Sequence, residues 1–333
     1  MSQPAVRRST LPAALLAEAS PPAGLGLRAE QRCFICGAAS RRVPMVDLGE
    51  YRVHRCTSCR GESVSPLPDP EALSAAYQGF DAGRIAREHF RQYAELAEIM
   101  LSTELSRAGL RFSDEGYSAS FLDYGCGGGH FVRAACNLGF RSIGIEFDPV
   151  SVAEGRKAGL DIREAGSPDR PETLDDETFD AILLFHVLEH ITAPFRTLAA
   201  LADRLRPGGV LVIEVPDQES LPAGIKRMAR LVGMKKHEWG YVQPPIHLHG
   251  LSRHSFEVVA RALGLSLHEV SRVSPLDPRK FPSNREYWRY LRIQQAVYQF
   301  ARVMRSPGYL FAVLKKASTL PPEADRCLDG RGA

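Results

Sequence analysis

Residues 121–129 read FLDYGCGGG, from Phe121 through Asp123, Tyr124, Gly125, Cys126 and Gly127 to Gly129. A short apolar strand, FLDY, runs straight into glycines at 125, 127, 128 and 129, and a helix follows from about His130 to Leu138, closed by Gly139. Alternate glycines let the backbone turn sharply and approach a ligand with no side chain between. The amides at the helix start then face whatever occupies the turn. A Gly-x-Gly-x-Gly run alone is weak evidence, because such loops also occur where nothing binds. Context strengthens it: a second strand, Ser142–Glu146 (SIGIE), ends in an acid 17 positions after Gly129. An acid at that place normally takes the two hydroxyls of a ribose.

Three further stretches follow in order: GIEFD at 144–148, FDAILLFHVLEHI at 179–191 and LRPGGVLVIEVP at 205–216. Together with LDYGCGGG they resemble the class I S-adenosylmethionine-dependent methyltransferases, over roughly residues 119–275. A dinucleotide oxidoreductase more often shows Gly-x-Gly-x-x-Gly, with another register of glycines against the helix. The resemblance implies an α/β fold: a Rossmann-like, seven-stranded sheet with helices on both faces, and S-adenosylmethionine as cofactor. Asp123 and the turn around Gly125, Cys126, Gly127 and Gly129 would hold the methionyl part. Glu146, followed by Phe147, would take the ribose, and His186 would line the methionine or sulfonium region. The adenine contact falls near Glu164–Ser167, with Glu164, Ala165 and Ser167 all open.

Ahead of that core, Cys33-x-x-Cys36 and Cys56-x-x-Cys59 are separated by 19 residues. This is a four-cysteine zinc pattern, in which each pair bites the metal from one turn and the spacer forms a hairpin. Gly37 follows the first pair as a tight metal-binding turn prefers, whereas the second is followed by Arg60 before Gly61. Disulfides or free thiols are the alternative. Four thiolates leave no open coordination position, so the metal is expected to be structural. Such a ribbon has little core and depends on zinc for its fold. The ribbon with SPLPDPEALSAAY (65–77) also resembles a methyltransferase subgroup whose members act in small-molecule, sugar or surface-glycan pathways.

The chain has 333 residues, 44% hydrophobic and 24% charged, which suffices to bury a core. A net charge of +3 gives no argument for nucleic acid. No apolar run approaches the ~20 residues that span a bilayer. Arg7 and Arg8 before LPAALLA imitate a signal peptide, but Pro12 and Glu18 interrupt it. Paired cysteines in an odd total of seven fit a reducing compartment, with the cytoplasm as default. The expected organisation is a mobile leader (1–30), zinc ribbon (31–67), helical cap or linker (68–118), cofactor-binding core (119–275) and C-terminal helical extension (276–333). In the cap, Phe90, Tyr93, Leu96, Met100, Leu101 and Leu105 form a helical stripe, with Tyr77 and Tyr93 as pocket candidates. Leu265–Val273 reads as the last, antiparallel strand, and Asn284–Met304 as an amphipathic helix.

The acceptor side is carried by histidines. His186-Val-Leu-Glu189-His190 matches a zinc-protease motif, but that needs one long helix, and here the first histidine ends a strand. Residues 217–250 form a long loop at the ligand edge with His237, Glu238, Trp239, Tyr241, Gln243, His247 and His249. His190 and His247 are the candidate general bases for a hydroxyl acceptor, since imidazole titrates near pH 6.5. Packing, hydrogen bonding and metal binding are the alternatives for these side chains. The favoured activity is O-methylation of a small molecule (a sugar, glycan precursor or natural product). An RNA methyltransferase and a non-catalytic cofactor-binding scaffold are the rivals, and oligomeric state is not readable.

Overall fold

The computed structural model describes residues 32–69, 71–73, 97–98, 101–102, 105–106, 119–166, 174, 176–273, 300–301 and 303–318. The expected leader, Tyr77, Phe90, Tyr93, Met100, Ser167 and most of the helix expected over 284–304 lie outside the described residues. No helix among the described residues is long and apolar enough to cross a membrane.

A central sheet of seven strands is built from β4 (Ser120–Tyr124), β5 (Arg141–Glu146), β6 (Ile162–Glu164), β7 (Phe179–Phe185), β8 (Leu205–Pro216), β10 (Ser266–Val273) and β11 (Tyr309–Lys315). Their order is β10-β11-β8-β7-β4-β5-β6. From β8 to β6 all neighbours run parallel, and β11 is antiparallel to both β8 and β10. Helices α1 (His130–Asn137), α2 (Pro149–Lys157), α3 (Pro194–Asp203), α4 (Leu221–Leu231) and α5 (Arg253–Ala262) connect or flank the strands. The reversal between β4 and β7, with β5 on β4's other side, is the switch point at which open α/β sheets bind ligands.

The strands are apolar runs because both faces are covered. Alternate residues divide between two cores: Leu122, Ile182, Leu184, Leu211 and Ile213 pack with α3 and α5 on one face. Phe121, Ala181, Leu183, Val212 and Phe311 pack with α1 and with Ala97, Leu101 and Leu105 on the other. Those last three, spaced by four, agree with a helical stripe in the cap.

The sheet departs from expectation at its C-terminal end. Ser266–Val273 pairs antiparallel, as expected, but it is not the last strand: among the described residues its partner is β11, which follows it in the chain and runs against both β10 and β8. The region expected as a helical extension therefore contributes a strand between β8 and β10. Tyr309–Lys315, YLFAVLK, is a short apolar run buried on both faces, which periodicity alone does not separate from a buried helix segment. The Arg206-Pro207-Gly208-Gly209 stretch is a looped-out irregularity within β8, where the register to β7 shifts between Phe179 and Ala181.

A second sheet, β1-β2-β3-β9, joins β1 (Arg42–Asp47), β2 (Arg52–Cys56) and β3 (Glu62–Ser65) to β9 (His249–Gly250). The first three belong to the cysteine ribbon and the fourth to the end of the long loop. Cys33, Cys36, Cys56 and Cys59 are buried in the same core cluster as the main sheet.

Candidate active site

The strand ends of β4, β5, β7 and β8 share one edge of the sheet. At β4 the glycine turn begins, with Gly125, Gly127 and Gly129 at φ of 80°, 53° and 81°, the left-handed region that favours glycine. A Cβ on Gly125 would stand 2.5 Å from Val187. The amides of Gly125 and Cys126 donate to the Ile145 carbonyl at 2.8 and 2.9 Å, fastening the turn to β5. The Gly127 amide donates to Glu146 Oε2 at 2.5 Å, while Glu146 Oε1 accepts from the amides of Phe147 (2.6 Å) and Asp148 (3.0 Å). Burial pushes the Glu146 pKa up against these three amides. Phe147 meets Tyr124 edge-on at 5.6 Å.

Asp123 is buried, and its Oδ2 has no hydrogen-bond partner. Burial first, and the neighbouring Glu146 charge second, push its pKa up to about 8. An unpaired acid beside a second acid at the end of a glycine turn suits a cationic ligand group. The Cys126 side chain packs with Val132, Val152 and Ile162, and its amide, like that of Gly125, donates to the Ile145 carbonyl. Its Sγ fills the space that a Cβ on Gly144 would need, 2.5 Å away. The side chain thus helps pack the turn against β5, and its Sγ lies 3.5 Å from the Gly127 carbonyl.

At the end of β7, His186 adopts φ 54°, a left-handed conformation uncommon outside glycine. Its Nε2 lies 3.2 Å from Glu214 Oε1 and its Nδ1 3.7 Å from Glu189 Oε1. Burial works against charging this ring, but the hydrogen bonds and charges of Glu189 and Glu214 prevail and raise its pKa to about 10. Tyr309 of β11 packs edge-on against it at 4.8 Å and stacks with Tyr241 at 6.1 Å.

Residues 187–190 form a turn rather than a helix, closed by the His190 amide on the Val187 carbonyl. The one-helix protease arrangement is therefore absent. His190 and His247 meet edge-to-face, 4.6 Å between ring centres. His190 Nδ1 lies 3.1 Å from the Ile246 carbonyl, and His247 Nδ1 3.0 Å from the Tyr241 carbonyl. Because a carbonyl only accepts, each Nδ1 carries the proton and each Nε2 a lone pair. Burial lowers the His190 pKa to about 4, and lowers that of His247 as well, so both rings are neutral at pH 7. Glu189, opposed by burial but drawn down mainly by His186 and His190, is held at about 2. The Glu189 carbonyl accepts from the amides of Leu248 (2.8 Å) and His249 (3.2 Å), which brings the long loop onto the end of β7. His249 faces elsewhere, its Nδ1 2.9 Å from Ser63 Oγ in the ribbon.

In the ribbon, Cys33 and Cys59 Sγ are 3.8 Å apart and Cys36 and Cys56 Sγ 4.0 Å apart. Four sulfurs ~2.3 Å from one tetrahedral zinc stand about 3.8 Å from each other, so the thiol set fits that ion. The two knuckles are alike. The Gly37 amide donates to the Cys33 carbonyl at 2.9 Å and the Arg60 amide to the Cys56 carbonyl at 3.0 Å, with φ of 69° and 59°. Arg60 thus occupies the left-handed place that glycine holds in the first knuckle.

Glu62 of β3 is buried and accepts from Arg55, from Arg227 of α4 at 3.2 Å, and from Gln218 Nε2 at 2.5 Å. Gln218 also donates to the Trp239 carbonyl at 2.9 Å and accepts from the Tyr241 amide at 2.9 Å. Sequence reasoning assigned no role to Glu62, Gln218, Glu189, Glu214 or Tyr309. Glu214 had a local signal, as the sole acid in an apolar strand. Glu62 and Gln218 had none, since their 156-residue separation hides the bond.

The methyltransferase-domain family matches residues 89–270. The ubiquinone biosynthesis O-methyltransferase of Roseobacter denitrificans is 28% identical over 143 residues, 40% of this chain and 58% of that protein. That of Ruegeria pomeroyi is 28% identical over 172 residues, covering 49% and 66%. The chain therefore spans little more than half the length of the first of these relatives. Among solved structures, the 1,6-didemethyltoxoflavin-N1-methyltransferase of Burkholderia thailandensis, with bound 1,6-didemethyltoxoflavin and S-adenosylhomocysteine, has a TM-score of 0.47 at 17% identity, covering 83% of this chain and 99% of that one. A SAM-dependent methyltransferase from Archaeoglobus fulgidus has a TM-score of 0.45 at 18% identity, covering 66% and 94%.

Proposed function

The chain belongs to the methyltransferase-domain family, and on that premise we propose that it transfers a methyl group from S-adenosylmethionine to an oxygen of a small-molecule acceptor. The observation that carries the reading is the pair of buried acids, Asp123 and Glu146, beside the glycine turn at the strand edge where the histidine cluster also stands. The fit of the cofactor rests on the orphaned Asp123 Oδ2, a buried acceptor awaiting a donor.

S-adenosylmethionine, when bound, supplies a sulfonium-activated methyl group for in-line displacement. Asp123 takes the methionyl ammonium, and the turn at Gly125, Gly127 and Gly129 lets that portion approach the backbone. Glu146 exchanges its Gly127 contact for the ribose hydroxyls, with Phe147 flanking. His186, fixed by Glu189 and Glu214, lines the region of the methionine. For a hydroxyl acceptor, His190 or His247 receives the proton at Nε2, and Glu189 stabilises the imidazolium formed. Alignment does the rest, and orientation is worth about 7–11 kcal/mol in favourable systems. Oxygen is favoured because the neutral imidazoles suit a proton-bearing acceptor, and relatives are O-methyltransferases by name.

The four thiols hold a structural zinc, and the ribbon it organises forms one wall of the acceptor side through Glu62, Gln218 and β9. Calorimetric titration of the zinc-loaded protein with S-adenosylmethionine, beside Glu146→Ala, tests the reading. Micromolar binding that weakens at least tenfold in the variant supports it. Absence of binding by folded wild-type protein would overturn it.

A further inference from the structure

We propose that Glu189, His190 and His247 form a divalent-cation site that binds the acceptor oxygen. One oxygen of Glu189 and one ring nitrogen from each histidine lie within 4.8 Å of one another. Ligands ~2.1 Å from a common ion stand about 3 Å apart, so closure needs shifts of about an ångström or less per atom. His190 Nε2 is already 3.9 Å from Glu189 Oε1.

Three independent features point to ligation. Each imidazole has its Nδ1 hydrogen on a main-chain carbonyl, Ile246 for His190 and Tyr241 for His247, which leaves the Nε2 lone pair as the ligand. A carbonyl on the distal nitrogen is the support that metal-binding histidines use to fix tautomer and ring orientation. Glu189 is 2% exposed, yet its Oε2 has no hydrogen-bond partner. A buried carboxylate oxygen without a donor is costly, and a cation removes the cost. Lastly, the ligand-bearing segments are fastened by main chain, through the Leu248 and His249 amides on the Glu189 carbonyl. His186 stays closer to Glu214 (3.2 Å) than to Glu189 (3.7 Å), so Glu189 can turn to an ion while His186 keeps its partner.

Two imidazoles and one carboxylate with further positions open form the set that suits Mn2+, Fe2+, Co2+ or Zn2+ and admits a substrate oxygen. The four-thiolate ribbon has no such opening. The inference rests on the acceptor meeting this cluster, as proposed above, and changes one step of that reading. With an ion in place the imidazoles ligate instead of accepting a proton. The acceptor's hydroxyl, bound to the cation, loses its proton to bulk water because the positive charge lowers its pKa. The oxygen remains on the ion as the nucleophile.

The test uses full-length protein with its ribbon loaded with zinc, titrated with Co2+ and followed by calorimetry and visible absorption. The expected result is one further Co2+ per chain, with weak bands of a nitrogen and oxygen ligand set and no thiolate charge-transfer band. His247→Ala and Glu189→Gln should each weaken uptake at least tenfold while circular dichroism and a cooperative thermal melt show that the variants are folded. Should Glu189→Gln not fold, His247→Ala decides, because its side chain sits on the loop. No Co2+ beyond the ribbon, or uptake indifferent to both changes, overturns the site. Failure of the wild type to bind S-adenosylmethionine would fell the methyltransferase reading instead, and the Co2+ count would still judge the cation site.

Discussion

Asp123 keeps a proton that its proposed ligand has to displace. With its pKa raised to about 8 by burial and by Glu146, it is largely protonated at pH 7. The sign follows directly: the native state holds this proton more tightly than the unfolded chain, so the residue's contribution to stability declines as pH rises from the ordinary carboxylate range through about 8. An ammonium partner selects the ionised form. Affinity for S-adenosylmethionine should therefore climb with pH, by up to about tenfold per unit, and level off above pH 8; calorimetry from pH 6 to 9 in buffers of different ionisation enthalpy measures the released proton. Asp123→Asn should bind more weakly and lose the slope. At the acceptor, at least one of His190→Ala and His247→Ala should reduce single-turnover methyl transfer by roughly 10²–10⁴, and wild-type rates in both would dismiss the histidine role. The glycine turn and the strand ends that carry Asp123 and Glu146 were legible because a strand, its turn and the following helix are encoded within one short stretch. The packing of the Cys126 side chain was not legible, because a turn residue's side chain can point either way and only the close approach to Gly144 shows which.

Among elements, the two knuckles and β11 invite experiments. Gly37 combines a left-handed backbone with a Cβ position 2.5 Å from the Phe195 ring, so Gly37→Ala should weaken zinc retention and lower Tm. Arg60 shares the backbone conformation, and Arg60→Gly should gain about 1 kcal/mol by relieving it; competition with a zinc chelator ranks both variants. Phe311, buried at the centre of β11, should cost about 3–5 kcal/mol on truncation to alanine, read by urea denaturation. The parallel strands were readable from apolar runs, each bounded by a turn and a helix. Strand β11 escaped because its ladder partners, β8 and β10, are distant or separated from it by a long segment, and its seven residues fit helix or strand equally.

For the molecule as a whole, the ribbon is not a detachable appendage. It shares a hydrophobic core with the sheet, pairs β3 with β9, hydrogen-bonds Cys59's carbonyl to Ser255 at 3.1 Å, and receives the Phe195 amide on Phe34's carbonyl at 2.9 Å. Local patterns announced a four-cysteine ribbon and a Rossmann-like core, but not their union, which is made by long-range contacts such as Glu62 with Gln218. Stripping the ribbon metal with a chelator should consequently abolish acceptor turnover while S-adenosylmethionine binding, held by β4 and β5, declines less than tenfold. Equal loss of both would mean that the two sites unfold as one unit.

Strand β9 carries the last consequence. Only two residues beyond His247 the chain becomes a strand of the ribbon sheet, so the proposed acceptor wall is stitched from segments 186 residues apart at Ser63 and His249. A chimera that exchanges the first 67 residues between relatives would replace half of that seam. It would inherit the acceptor preference of neither parent unless residues 217–250 travelled with the graft. On the proposed reading, the two segments should have to move together for an acceptor preference to be transferred.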